Sequence, residues 1–96
     1  MKRVTEINQL KKGDIIVAIV DLKIVKREFV CVHPHNDKYS LFLDELYDGC
    51  PKFYNDNLKN KEWYLFTNSK EENKELKAMI VEELKRSIDF YEQCSK

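Results

Sequence analysis

The run Cys31-Val32-His33-Pro34-His35 is where this sequence comes nearest to chemistry. On an extended strand the side chains at i, i+2 and i+4 share a face, so a thiolate and two imidazoles could converge on one metal ion. Cys31, His33 and His35 would be three ligands, with Asp37 or Cys50 for a fourth. The spacing lacks the paired knuckles of zinc ribbons and fingers, and Pro34 breaks the strand between the two histidines. The plainer reading makes Cys31 a small core residue and leaves both histidines beside a turn. Metal binding is therefore a second alternative.

Asp44, Glu45 and Asp48 bring carboxylates together in a stretch that also holds Asp56 and Lys52. Acid–base catalysis would need them to converge on a pocket, and a solvated acidic loop explains them as well. No GxSxG, HExxH, P-loop or GxGxxG pattern occurs in the chain. An enzyme is not expected, and nothing asks for a cofactor.

Lys23, Lys26 and Arg27 lie beside Phe29, and Lys2, Arg3, Lys11 and Lys12 are clustered near the start. Basic groups interleaved with aromatics are how small barrels commonly hold single strands of nucleic acid. Seventeen basic residues balance seventeen acidic ones, however, and the balance holds in residues 1–48 and in 49–96 separately. Binding to phosphate usually shows as a basic excess. Nucleic acid is the first alternative.

The three cysteines are odd in number and widely spaced, with no apolar leader ahead of them, which fits reduced thiols and a cytoplasmic setting. The longest apolar run, Ile15 to Val20, is too short to span a membrane.

Ninety-six residues make one domain, and its apolar β-formers crowd between Gly13 and Leu43. Residues 1–12 place Val4, Ile7 and Leu10 three apart, as in one helical turn or a lid. Residues 13–66 read as a sheet region. Ile15 to Val20 is a strand covered on both faces, Asp21-Leu22-Lys23 a bend, and Ile24 to His33 a second strand. Alternation along that strand puts Val25, Phe29, Cys31 and His33 on one side. Pro34 to Lys38 is a turn, and Tyr39 to Leu43 returns as its partner strand. Residues 44–61 are irregular, with Phe53 and Tyr54 anchoring them or forming a short strand. Glu62 to Phe66 is the last strand; its Trp63, Tyr64 and Phe66 are expected in the core.

The C-terminal helix, residues 69–93, opens on a capping box, Ser69-Lys70-Glu71-Glu72. Leu76, Ile80, Leu84, Ile88 and Tyr91 form its central stripe, widened by Met79, Val81 and Phe90. At 100° per residue these positions span about 200°, roughly twice what a surface helix needs. The excess is concentrated at Ile88, Phe90 and Tyr91, where the helix is expected to overhang its own domain.

Lysine-Gly-Asp, antiparallel strands, Tyr64-Leu65-Phe66-Thr67 and then Lys70-Glu71-Glu72 opening a long helix form an order that resembles small proteins of bacteriophages and mobile elements. The resemblance implies an SH3-like small barrel with a helix appended, and a stand-alone module that binds and modulates a host or defence protein. The fold class is thus α+β, an antiparallel SH3-like sheet or partly open barrel of about 4–5 strands with one long helix. The leading expectation is a protein-binding module that presents Ile88, Phe90 and Tyr91 together with Asp44, Glu45 and Asp48. A homodimer through the helix is one form it could take.

Overall fold

In the computed structural model, which describes residues 1–44 and 52–94, β-branched runs and turn residues divide the first two thirds of the chain into six strands. They are β1 (Lys2–Arg3), β2 (Ile15–Val20), β3 (Lys23–Val32), β4 (Tyr39–Asp44), β5 (Lys52–Tyr54) and β6 (Tyr64–Phe66). All pair antiparallel in one sheet of order β1-β6-β2-β3-β4-β5. A short helix, α1 (Asn57–Asn60), precedes β6, and the long helix α2 (Lys70–Cys94) follows it.

The sheet is not closed, β1 and β5 being its two outer strands, and the described residues hold six strands where about 4–5 were expected. It curls nonetheless. Phe53 of β5 and Trp63, just before β6, meet edge to face at 5.9 Å, although three strands separate β5 from β6 in the sheet. Their meeting closes a concave core of Val4, Ile16, Phe29, Phe42, Phe53 and Leu58 with Trp63. Val4 and Leu10 flank a 3₁₀ turn at Ile7–Gln9, so the start of the chain caps this core. Gln9 Oε1 holds that turn by accepting from the Thr5 and Glu6 N–H groups, at 2.8 and 2.9 Å.

The alternation of β2 serves both faces. Ile16 and Ala18 enter the concave core, while Ile15, Val17 and Ile19 turn to the convex side with Phe66 and Leu76 of α2. Asp21 and Leu22 join β2 to β3 in a two-residue loop with both φ angles positive, 51° and 64°. This hairpin geometry ordinarily uses Asn or Gly, and an L-residue such as leucine adopts it with strain.

A bulge between Phe29 and Cys31 shifts the pairing of β3 with β4. Phe29 opposes Phe42 on the core side, whereas Cys31 opposes Leu41, one residue out of phase. Simple alternation placed Phe29 and Cys31 on one face. The extra residue, Val30, puts them on opposite ones, Phe29 buried and Cys31 exposed.

Candidate functional site

The helix α2 begins as its capping box dictates. Ser69 Oγ accepts from the Glu72 N–H at 3.2 Å, and Glu72 Oε1 accepts from the Thr67 N–H at 2.8 Å and the Thr67 hydroxyl at 2.5 Å. These donors, the Thr67 hydroxyl foremost, hold the Glu72 carboxyl below its usual pKa against the opposing effect of desolvation. The amino terminus ties the next turn, its ammonium 2.7 Å from Glu75.

One turn on, Leu76 packs between Val17 and Phe66 and is 2% exposed, the only buried side chain described on α2. Past Ile80 none of the described side chains of the helix is buried. Val81, Leu84, Ile88, Phe90 and Tyr91 are between 45% and 73% exposed. The molecule is correspondingly long, 52 × 30 × 25 Å with a radius of gyration of 15.3 Å, where a compact chain of this length has about 12.5 Å. Phe90 and Tyr91 touch each other, ring centroids 6.1 Å apart.

Of the expected partner-facing residues, Ile88, Phe90 and Tyr91 are thus on the surface. Asp44 is not. Its side chain is 4% exposed and lies 3.3 Å from Arg27 Nε. Cross-strand pairing puts it there, since Arg27 of β3 stands opposite Asp44 of β4. Glu45 and Asp48 lie outside the described residues.

The basic strand is divided in the same way. Arg27 turns inward, its guanidinium 5.4 Å from the Phe53 ring centroid and 5.6 Å from that of Trp63. The contact with Asp44 is an ion pair rather than an aligned hydrogen bond, because Arg27 Nε makes no hydrogen bond among the described residues. Phe29 is core. Lys26 lies on the convex face with Nζ 5.0 Å from the Phe66 ring centroid, and Lys23 is exposed at the hairpin. The four residues therefore form no common surface: two face the core, and the lysines lie outside.

Cys31, His33 and His35 likewise fail to assemble. The bulge turns Cys31 outward, β3 ends at Val32, and His35 falls in the turn. The two imidazoles lie edge to face at 6.0 Å, and His33 Nδ1 accepts from the His35 N–H at 3.1 Å. That bond occupies one of the two ring nitrogens a metal could use. Among the described residues, no three His, Cys, Asp or Glu side chains are grouped to hold a metal ion. Cys31 is not the core residue that the plainer reading made of it; Cys50 lies outside the described residues.

Trp63 and Phe66 are in the core as expected, on opposite sides of the sheet. Trp63 Nε1 is buried without a hydrogen-bond partner among the described residues. Tyr64 is half-buried and donates its hydroxyl to Glu62 at 3.1 Å; burial and that acidic acceptor raise its pKa.

What sequence reasoning missed is a groove between α2 and the β2–β3 end of the sheet, about 860 Å³ in volume. Its residues come from four separate segments, and only the crossing of α2 over the sheet brings them together. The one signal for it was the run of acidic residues on the helix flank, at Glu75, Glu82 and Glu83. No helix of the described residues is long and apolar enough to cross a membrane. No protein-family model matches the chain, and neither does any curated protein or solved structure.

Proposed function

We propose that this chain is a non-enzymatic protein-binding module that engages another protein with the later half of α2. The observation that supports this reading is the exposure of Val81, Leu84, Ile88, Phe90 and Tyr91 on a helix that runs past its own sheet. Several large apolar side chains left exposed on one helix mark an interaction site more often than an idle face. The resemblance drawn above makes the partner a host or defence protein whose behaviour the module alters, and self-association through the same face is a simpler use of it. The nucleic-acid alternative gains no such support, since Phe29 is core and Arg27 is held by Asp44.

The test replaces Ile88 and Tyr91 by serine and follows thermal unfolding beside solution mass by light scattering over a concentration series. The expected result is an unfolding midpoint within about 2 °C of the parent, because these side chains support little of the fold. Any mass above that of a monomer in the parent should fall in the variant. A drop of about 10 °C in a parent that is monomeric throughout the series would place Ile88 and Tyr91 inside the fold and end the reading.

A further inference from the structure

The groove beside α2 has an apolar floor and an acidic rim. Ile19 of β2, Tyr64 of β6 and Met79 of α2 supply the floor. Five carboxylates line it, those of Asp21, Glu62, Glu75, Glu82 and Glu83, against Lys61, Arg86 and the amino terminus. Two of the five are balanced locally, Glu75 by that amino terminus at 2.7 Å and Glu82 by Arg86 at 3.7 Å. Among the described residues, none of Asp21, Glu62 and Glu83 forms an ion pair. Glu62 accepts a hydrogen bond from the neutral Tyr64 hydroxyl, which leaves its charge in place.

We propose that this groove takes a short segment of a partner protein that carries apolar and cationic side chains together. The proposal rests on the reading of the chain as a protein-binding module and names the part of the partner that it holds. Charge complementarity chooses the occupant. An apolar segment alone would cover the rim carboxylates and strip their water without returning a counter-charge. A polyanion would meet the same field with the wrong sign. A segment with lysine or arginine at the edges and aliphatic residues between them satisfies the floor and the rim at once. The volume, about 860 Å³, is in the range of sites that accept several side chains.

The groove and the exposed apolar face can be disturbed separately. At 100° per residue, Met79, Glu82, Glu83 and Arg86 project on average about 170° around the helix from Val81, Leu84, Ile88 and Tyr91. The experiment uses the intact protein and a fluorescein-labelled ten-residue peptide of leucine, alanine and three lysines, with a counterpart in which glutamates replace the lysines. Anisotropy is read at low and at high sodium chloride. The lysine peptide should bind saturably and lose affinity as salt rises, while the glutamate peptide should not bind. The double variant Glu62→Gln, Glu83→Gln, which changes charge at constant size, should weaken binding about tenfold, the worth of two solvent-edged charge contacts. Ile88→Ser, Tyr91→Ser should leave it unchanged within about twofold.

Absence of saturable binding by the lysine peptide overturns the proposal, as does equal affinity of the Glu62→Gln, Glu83→Gln protein. Affinity lost in Ile88→Ser, Tyr91→Ser but kept in the glutamine variant would place the peptide on the helix face. That result ends the groove proposal while the protein-binding reading stands.

Discussion

The two halves of α2 share a sequence style and an apolar spacing, yet they have different surroundings. Leu76 in the first half is enclosed by Val17 and Phe66, whereas Ile88 and Tyr91 in the second are on the surface. Geometry accounts for the difference. Twenty-five residues make a helix of about 37 Å, while three neighbouring strands are about 14 Å across. A helix lying over the β6 and β2 part of the sheet therefore runs out of sheet after a few turns. Periodicity reports that a face is apolar; the width of the surface beneath decides how much of that face is covered.

The sharpest way to break this comparison is one substitution in each half. Leu76→Ala should cost about 2–5 kcal/mol, because a fully enclosed leucine loses its transfer energy and leaves a cavity. Ile88→Ala should stay within about 0.5 kcal/mol, as for an exposed side chain with few neighbours. Urea unfolding of both proteins reads the difference directly. Equal costs would mean that the far half of α2 is packed in solution, on its own sheet or on a second copy.

A second contrast lies within β3, where adjacent residues have opposite fates. Asp44→Asn leaves the Arg27 guanidinium between Phe53 and Trp63 without its carboxylate, and should cost about 1–3 kcal/mol. Lys26→Ala, which removes a cation resting over the ring of Phe66, should cost under about 1 kcal/mol. Unfolding at low and at high salt separates the two further. The loss in Asp44→Asn should persist at high salt, since a carboxylate 4% exposed is poorly screened.

These residues also show what was legible in the sequence. Ile15–Val20 could be read to its ends because a short apolar run, β-branched at five of its six positions, has few other fates, and the capping box announced α2 for the same kind of local reason. Expected side-chain placements differ from the structure where position depends on non-local pairing. Asp44 and Arg27 are seventeen residues apart, and only the register of β3 on β4 brings them together. Cys31 looked like a partner of Phe29 until Val30 bulged. The turn at Asp21-Leu22 carries no glycine or asparagine, so its positive φ angles left no mark in composition. Strand β1 and helix α1, of two and four residues, are too short to show a period. The groove was invisible because no single segment contains it.

The smallest expected effect concerns the packed end of α2 and is specific in sign. Hydrogen bonds from Thr67, with weaker ones from Ser69, favour the ionised form of Glu72, so its pKa in the folded protein lies below that of the unfolded chain. The folded state then binds fewer protons than the unfolded one in the interval between the two values. The stabilisation is complete above the unfolded value of about 4.3 and fades as pH falls through the lower folded value. Glu72→Gln keeps the length of the side chain and removes the titration. At neutral pH it should be less stable by about 0.5–1 kcal/mol, the scale of a weakened helix cap. Unfolding free energies of the two proteins, measured from pH 7 down to pH 3, should converge because the parent loses the contribution that the variant never had. A gap that stays constant over that range would show that the carboxylate is not held by these donors. The well-anchored start of α2, against which its free end is contrasted, would then depend on Ser69, Glu75 and Leu76.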